Sequence, residues 1–215
     1  MALLEAGVRK FKCATPKEAR VLLKDVEAQG VEGTELLVAY PHVEPNLTIL
    51  ANLAAEFPSS KLSVLVEDVG GVASVGGRLG LFVDVNVGMN RTGIPIAYSD
   101  QIMATVAAAS QCGKLRGLHC YDGHLTMPDE TARDQAAVAC YDRAVETALA
   151  AIEVAKANSN GDSGNGITEV ITSGSTTFLN ALSYNWAALD RVGVNHTVSP
   201  GTIVFHDARV SLELN

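Results

Sequence analysis

Short apolar runs alternate with longer amphipathic segments along most of this 215-residue sequence. The runs are rich in β-branched and aromatic residues and are apolar at almost every position, which is typical of strands buried on both faces of a parallel sheet. They predict strands at residues 10–14, 36–39, 62–66, 79–85, 115–120 and 167–172. The segments between them predict helices at residues 16–28, 45–56, 100–111 and 128–157. Thr15 is suited to cap the first helix, and Pro16 is suited to its first turn.

The repeated strand–helix order fits both a closed (β/α) barrel and an open doubly wound sheet, and periodicity does not separate these two folds. Between the strands at 62–66 and 79–85 lies only the segment EDVGGVASVGGR, so we expect a short or irregular helix there. The polar segment NSNGDSGNG, at 158–166, is a loop before the last predicted strand. The final residues alternate in hydrophobicity without a following helix, which indicates the start of a β-rich module.

Composition narrows the class of protein. The sequence is 47% hydrophobic and 19% charged, with a formal net charge of -8, which indicates a folded soluble chain without the basic field that nucleic-acid binding requires. No apolar run approaches the roughly 20 residues that span a bilayer, and the N-terminus lacks the basic region of a signal peptide. The four cysteines show no CxxC spacing, so we expect a cytoplasmic protein with reduced thiols.

A turn rich in glycine and asparagine follows the predicted strand at 79–85, in the sequence DVNVGMNRTGI. Gly88 and Gly93 let the backbone bend closely around a ligand, and Arg91 offers a cation with several donors for a phenolate, a ring nitrogen or a carboxylate. Barrel enzymes build their sites at such strand ends. A glycine-rich turn with a solvated arginine is the competing interpretation, and this motif alone does not decide between them.

A second polar cluster follows the strand at 115–120. Tyr121, Asp122 and His124 come directly after it. Tyrosine and histidine can transfer protons near neutral pH once burial or neighbouring groups tune them. A buried tyrosine and a surface histidine would explain the same residues without any chemistry, so only the position at a strand end favours the functional interpretation.

Two small turns later in the chain are candidates for binding an anion. The strand at 167–172 runs into a Ser-Gly-Ser-Thr-Thr turn at 173–177, whose amides and hydroxyls suit phosphate. A Ser-Pro-Gly-Thr turn at 199–202 could close the same site, because neighbouring late strands of a barrel often share a phosphate. Each of these turns is also common in proteins without a ligand. The three strand-end clusters in this order therefore indicate a binding site more specifically than any one of them alone.

The segments VNVGMNRTGI, LHCYDGH, TSGSTT and SPGTIVFHD, with KFKCATPKEA near the start, resemble the D-threonine aldolase and D-serine dehydratase-like family, which is related to the alanine racemase N-terminal domain. The resemblance spans essentially the whole chain. It implies an α/β fold, a (β/α)8 TIM barrel of the alanine racemase N-terminal type that lacks its first βα unit and so has an open seam. We expect this barrel at residues 1–198 and the start of a C-terminal β-domain at residues 199–215.

The resemblance also implies pyridoxal 5'-phosphate (PLP) as the cofactor. Arg91 and Tyr121 would lie against the cofactor ring, and Tyr121 and His124 would be the catalytic residues. His124 is the nearest candidate for proton transfer. The residues expected to bind the phosphate belong to the two small turns and are Gly174, Ser175, Thr176, Gly201 and Thr202.

In this family the lysine that forms the Schiff base lies on the first barrel strand, upstream of the segment that matches KFKCAT, so the resemblance implies that this chain lacks it. Most of the lysines present fall on helices, loops or strand starts, where a solvated charge is the plain interpretation. None is a convincing substitute; they are Lys10, Lys12, Lys17, Lys24, Lys61, Lys114 and Lys156. The family's divalent metal would be held by the later β-domain, so no metal ligand is assigned. His206 and Asp207 would point to opposite faces of an extended strand, which disfavours a metal pair.

The implied function is a PLP-dependent lyase of the D-threonine aldolase type, which cleaves D-3-hydroxy amino acids to glycine and an aldehyde. D-serine dehydratase (ammonia-lyase) or racemase chemistry and a non-catalytic PLP-binding chain remain alternatives. A metal-dependent barrel hydrolase is ranked last, because the strand ends offer it only Asp84, His119, Asp122 and His124. The expected partners are a small D-amino acid and a second copy of the chain in a homodimer, without nucleic acid or a membrane.

Overall fold

The computed structural model describes residues 2–159 and 166–202, which form alternating strands and helices. The strands are β1 (Lys10–Cys13), β2 (Glu35–Pro41), β3 (Lys61–Val66), β4 (Gly80–Asn86), β5 (Ile94–Pro95), β6 (Leu115–Cys120), β7 (Glu169–Thr172) and β8 (Asn195–Val198). The helices are α1 (Ala2–Glu5), α2 (Pro16–Ala28), α3 (Asn46–Glu56), α4 (Val69–Val75), α5 (Ser99–Gln111), α6 (Glu130–Asn158), α7 (Phe178–Ser183) and α8 (Ala187–Asp190).

All strand pairs are parallel, and the sheet order is β1-β2-β3-β4-β6-β7-β8, with the short β5 beside β4. This order follows the chain without reversal, whereas an open doubly wound sheet reverses its order at a switch point. Right-handed crossovers in such an order place the helices on one face of the sheet, so the other face can curl upon itself. The predicted barrel-type α/β fold is therefore confirmed.

Contacts across the inner face show how strongly the sheet curls. Lys10 of β1 forms an ion pair with Glu169 of β7 at 2.7 Å, although several strands separate β1 from β7 in the sheet. Arg116 of β6 likewise reaches Glu35 of β2, with 3.2 Å between nitrogen and oxygen. Among the described residues no backbone pairing joins β8 to β1, so the sheet stays open between these two edges.

The two faces of each strand are buried in different cores. On β2, Leu36 and Val38 belong to a large cluster that includes the apolar faces of the helices. Leu37, between them, turns to a small inner cluster with Phe82 and Ile171 from distant strands. Burial on both faces explains why the strands are apolar at nearly every position instead of alternating.

Each predicted strand and helix is present, with bounds within about two residues of the prediction. The expected cap of α2 is a capping box, in which Thr15 Oγ1 accepts from the Glu18 amide and the Glu18 carboxylate accepts from the Thr15 amide. The short crossover predicted after β3 is the seven-residue α4, capped by Asp68. Several short elements were not predicted from the pattern; they are α1, β5, α7, α8 and β8.

The predicted start of a C-terminal β-domain is described by the structure only in its first residues. Residues 203–215, which include His206 and Asp207 and most of the expected β-domain, lie outside the described residues. Within the described residues, no helix has both the length and the apolar character needed to cross a bilayer.

Gly117 on β6 is predicted to be essential for the sheet. A Cβ at this position would overlap the carbonyl oxygen of Glu169 on β7 and lie 2.8 Å from the Phe82 ring. Backbone cannot move aside cheaply, so we expect Gly117→Ala to lower the free energy of unfolding by about 3 kcal/mol in urea denaturation. Gly166→Ala is the matched control, because the space around Gly166 is open. Equal losses in both variants would contradict the close-approach explanation.

Candidate functional site

The inner face of the curled sheet opens at the carboxyl ends of its strands. Side chains on a strand alternate between faces, so the residues two and four positions beyond the inner cluster face the same space. The polar positions reached in this way on β3, β4 and β7 are Glu67, Asp84, Asn86 and Ser173. Contacts with Asp84 or with each other place His119, Lys12, Tyr121 and Ser199 in the same space. Polar side chains from most of the strands therefore converge at one mouth, which is where barrel enzymes carry their sites.

The turn after β4 is organised by its own asparagine and glycines. Asn86 Oδ1 accepts hydrogen bonds from the amides of Gly88 and Asn90, each at 3.0 Å. The Gly93 amide donates to the Glu67 carboxylate at 2.8 Å. Gly93 has φ +92°, and a Cβ there would lie 3.0 Å from Asp84 and from the Asn86 amide. This position therefore requires glycine both for its backbone conformation and for its space.

The turn holds Arg91 against two aromatic rings. Its guanidinium carbon lies 5.3 Å from the Tyr40 ring centroid and 5.0 Å from that of Tyr121. Both distances are in the cation–π range. The structure thus brings together Arg91 and Tyr121, the two residues predicted to lie against the cofactor ring, and their contact with a cofactor stays a prediction. A cleft of about 420 Å³ opens beside the arginine, and it is lined by Glu67, Asp68, Asn86, Asn90, Arg91, Thr92, Gly93 and Gln101.

Tyr121 is at the centre of the mouth. Its ring stacks parallel to that of His119, with 6.3 Å between centroids, and the Lys12 ammonium lies 5.5 Å from its centroid. Gly174 lies against it, since a Cβ at Gly174 would be 3.0 Å from the Tyr121 hydroxyl. The predicted ring-binding residue and the predicted phosphate turn are therefore adjacent.

Asp122 anchors the turn after β7 to the end of β6. Its carboxylate is fully buried and accepts hydrogen bonds from the Gly174 amide at 3.1 Å, the Thr177 hydroxyl at 2.9 Å and the Tyr141 hydroxyl at 2.9 Å. Burial raises the pKa of Asp122, and these hydrogen bonds oppose the rise. Asp122 therefore has a structural role in positioning the turn, and it is not available to a substrate or a metal.

The two predicted phosphate turns contact each other. The Ser199 hydroxyl lies 2.8 Å from the Ser173 carbonyl oxygen, and the Thr202 amide donates to Ser175 Oγ at 2.8 Å. Ser173 has a positive φ of 57°, and its hydroxyl is buried without any hydrogen-bond partner. A buried hydroxyl without a partner is costly, so this atom marks a place where a ligand can be bound.

The structure places the remaining predicted residues less centrally. Thr176 is half-buried in the same turn, and Gly201 is exposed with open space around it. His124 packs against Gly88, so that a Cβ on Gly88 would lie 2.5 Å from His124 Nε2. Its Nδ1 is buried without a partner. His124 therefore packs against the turn that carries Arg91. Its role in proton transfer stays a prediction.

Lys12 differs from the solvated lysines that the sequence predicts at most positions. Lys12 Nζ lies 2.9 Å from His119 Nε2 and 3.0 Å from Ser199 Oγ, inside the curled sheet. His119 Nδ1 is in turn 2.7 Å from Asp84 Oδ1, and both side chains are buried. The signal was present in the alternation of β1, since Lys10 and Lys12 share one face, but the sequence did not reveal which face turns inward.

Three of the four residues considered for a metal-dependent hydrolase are engaged by other protein groups. Asp84 pairs with His119, and Asp122 holds the turn after β7. In the described part of the chain, no group of three or more histidine, cysteine, aspartate or glutamate side chains is placed to hold a metal ion.

Comparison with solved structures finds the same curled sheet in several enzymes. D-threonine aldolase from Filomicrobium marinum aligns with a TM-score of 0.69 and 23% identity, over 95% of this chain and 50% of that chain. A metal-free mutant of D-threo-3-hydroxyaspartate dehydratase aligns at 0.59 and 18%, over 98% and 57%. Alanine racemase from Bacillus anthracis with bound L-Ala-P aligns at 0.57 and 18%, over 91% and 44%. At these identities the likeness shows the fold, and this chain spans about half the length of these proteins.

Comparison at the level of sequence assigns the family. A search against curated proteins finds no significant match. The family model described as alanine racemase, N-terminal domain, matches residues 1–166, which is most of the chain. The resemblance found in the motifs is thereby confirmed, and the chain belongs to the alanine racemase N-terminal domain family, the barrel of fold type III PLP enzymes.

Proposed function

We propose that this chain binds PLP at the mouth of its curled sheet and forms the cofactor-binding part of a lyase that acts on D-3-hydroxy amino acids. The observation that carries the proposal is the meeting of Arg91, Tyr121 and the joined turns at 173–177 and 199–202 in one space. A flat aromatic cofactor with a phosphate at one end needs a ring platform, a cation and an anion-binding turn close together. These three features are adjacent here.

The ring-binding part of the site consists of Tyr121 and Arg91. The Tyr121 ring offers an aromatic face and a hydroxyl, and Arg91 offers donors in a fixed plane for a phenolate or ring nitrogen. Asn86 and Glu67 hold the turn that carries Arg91 through hydrogen bonds to its backbone. The arginine is therefore held in place before any ligand binds.

The phosphate-binding part consists mainly of hydroxyls. Ser173 offers a buried hydroxyl that lacks a protein partner, and Ser175 accepts one amide bond and can still donate its own proton. The amides of Gly174 and Thr202 are already engaged by Asp122 and Ser175. In this proposal these two residues shape the turn, and Gly174 in addition allows the close approach of Tyr121.

When bound, PLP supplies an electron sink that stabilises a carbanion at the Cα atom of an amino acid. The chain's own groups would orient the ring and exclude water, while the Tyr121 hydroxyl and His124 are the predicted proton-transfer groups. The aldolase type is favoured because the segment DVNVGMNRTGI agrees more fully with the D-threonine aldolase group than with the other members of the family.

The substrate and reaction are tested by incubating the PLP-loaded protein with D-threonine and analysing the products. Glycine and acetaldehyde would support the aldolase. A keto acid and ammonia would instead indicate dehydratase chemistry, and L-allo-threonine, the epimer inverted at Cα, would indicate racemase chemistry. Bound PLP without any turnover would support the alternative of a non-catalytic PLP-binding chain.

Replacement of Arg91 by alanine is expected to weaken PLP binding. The loss of a charge-assisted hydrogen bond of ~1.5–3 kcal/mol corresponds to an increase in Kd of roughly 10- to 100-fold, measured by equilibrium dialysis. Arg20→Ala is the control, since Arg20 pairs with Glu56 on the surface at 3.1 Å and should leave the Kd unchanged. Equal affinities of the two variants would exclude Arg91 from the cofactor site.

Replacement of Ser173 by alanine should separate ligand binding from stability. The hydroxyl has no partner in the protein, so its removal is expected to leave the free energy of unfolding unchanged or raise it by up to about 1 kcal/mol. PLP affinity should fall roughly 3- to 10-fold because a hydrogen bond to phosphate is lost. Ser74→Ala, which removes a hydroxyl bonded to the Gly70 carbonyl on α4, is the control. Unchanged PLP affinity in Ser173→Ala would place the phosphate elsewhere.

A further inference from the structure

The two turns proposed to bind phosphate carry no positive charge of their own. The segments 173–177 and 199–202 consist of serine, threonine, glycine and proline. The Asp122 carboxylate accepts from the Gly174 amide at 3.1 Å inside the first turn, and its negative charge opposes an anion there. A phosphate dianion at these hydroxyls therefore needs a cation nearby, in addition to the Arg91 that is proposed to face the cofactor ring.

Lys12 brings an ammonium to the place where these two turns meet. Its Nζ lies 3.0 Å from Ser199 Oγ, and Ser199 Oγ lies 2.8 Å from the Ser173 carbonyl oxygen. A carbonyl oxygen only accepts hydrogen bonds, so the Ser199 hydroxyl donates to it and accepts from the ammonium. Ser199 belongs to one turn and Ser173 to the other, so the lysine is connected to both of them.

The pair formed by Asp84 and His119 holds the ammonium in this position. An aspartate carboxylate only accepts hydrogen bonds, so His119 Nδ1, 2.7 Å from Asp84 Oδ1, carries a proton. Burial and the nearby Lys12 charge lower the pKa of His119, so the neutral ring is favoured and its Nε2 is an acceptor. Lys12 Nζ lies 2.9 Å from this nitrogen and donates to it. The ammonium is thus oriented before a ligand binds.

Two polar groups at this junction still lack a partner. An ammonium has three donors, and among the described residues Lys12 has two acceptors, His119 Nε2 and Ser199 Oγ. The Ser173 hydroxyl is fully buried and likewise finds no partner in the described part of the chain. A free N–H on a cation and a free buried hydroxyl where two turns meet are groups that an anion with several oxygens can satisfy.

Lys10 provides the contrast on the same strand. Its ammonium forms an ion pair with the Glu169 carboxylate at 2.7 Å, so its charge is already neutralised. Lys12 contacts a neutral imidazole and a hydroxyl instead. The carboxylates of Asp84 and Asp122 act on Lys12 only from beyond hydrogen-bond distance. Of these two inward lysines, Lys12 is therefore the one whose charge can be paired with a ligand.

We propose that Lys12 is the cation of this anion site: its ammonium and the Ser173 hydroxyl bind a phosphate dianion, and this binding is coupled to the protonation of the lysine. The inference rests on the proposed function where the phosphate is that of PLP, and inorganic phosphate offers the same oxygens and charge. Lys12 forms no covalent bond here. Its amine keeps its proton, or takes one up from solvent, when the anion binds.

The coupling gives phosphate binding a defined pH dependence. Burial lowers the pKa of Lys12 to about 8; Asp84 and Asp122 oppose this fall, and the Arg91 charge adds to it. A bound dianion favours the charged amine and so raises this pKa. Below pH 8 the free protein already carries the proton, so Lys12 adds no pH dependence there. Above pH 8 binding requires proton uptake, and the affinity falls by up to about tenfold per pH unit.

The first test measures the Kd of inorganic phosphate for the 215-residue protein by phosphorus NMR titration at pH values between 8.5 and 9.5. Phosphate groups complete their second ionisation at lower pH, about 6 for esters, so the ligand stays a dianion. The Kd is expected to rise roughly five- to tenfold across this range. In Lys12→Arg it should stay nearly constant, because a guanidinium keeps its charge. Equal pH dependence in the two proteins would overturn the proposal.

A second test separates a phosphate ligand from a merely structural lysine. At pH 7, Lys12→Met should raise the Kd of pyridoxine 5'-phosphate, an analogue without the aldehyde, roughly 10- to 100-fold in equilibrium dialysis. The Kd of pyridoxine, which has the ring without the phosphate, should stay unchanged. Lys10→Arg, which keeps the charge opposite Glu169, is the matched control and should bind both compounds like the parent chain. Circular dichroism establishes that each variant is folded.

The outcomes distinguish this inference from the proposed function. Unchanged affinity for pyridoxine 5'-phosphate in a folded Lys12→Met variant would refute the role of Lys12, and PLP binding by the parent chain would still stand. Inorganic phosphate that binds in a Lys12-dependent way to a parent chain without affinity for PLP would confirm the anion site and refute the proposed function.

Discussion

A charged side chain on the inner face of a parallel sheet needs partners, because an isolated ammonium is very costly to bury. On β1 neither Lys10 nor Lys12 has its hydrogen-bond partner on the neighbouring strand β2; the partners come from β6, β7 and the residue after β8. The curl of the sheet brings these distant strands within reach. The same curl creates the mouth in which the candidate site lies. The pairing of the inner polar residues and the formation of the site therefore both depend on the curl of the sheet.

The site consists of two parts, each held by its own hydrogen bonds. Arg91 and its turn are held by Asn86 and Glu67, at the ends of β4 and β3. The Ser173 turn is held by the buried Asp122 carboxylate after β6. Because Tyr121 directly precedes Asp122 and lies against Gly174, the ring platform and the anion-binding turn are held together. Preorganisation of this kind lowers the cost of ordering a site when a ligand binds.

The comparisons establish the family and the fold of this chain, whereas the functional proposal depends on the geometry of its site. Family membership rests on the match over residues 1–166, and the shared fold rests on structures at 23% identity and below. Those enzymes include an aldolase, a dehydratase and a racemase, so the fold alone hosts several reactions. The choice between them depends on proton-transfer groups and substrate contacts, and for this reason the site residues carry the functional proposal.

The sequence by itself determined most of the strands, the longer helices and the local turn chemistry of this protein. Apolar runs report burial on both faces, and the Asn86, Gly88 and Gly93 pattern determines a turn through contacts within a few residues. The sequence could not identify Lys12 and His119 as neighbours, because their contact joins strands 107 residues apart and depends on which face of β1 turns inward. Nor could it show that Asp122 is an anchor or that Ser173 lacks a partner. Those properties were decided by the tertiary structure, since the curl of the sheet selects the groups that share a buried space.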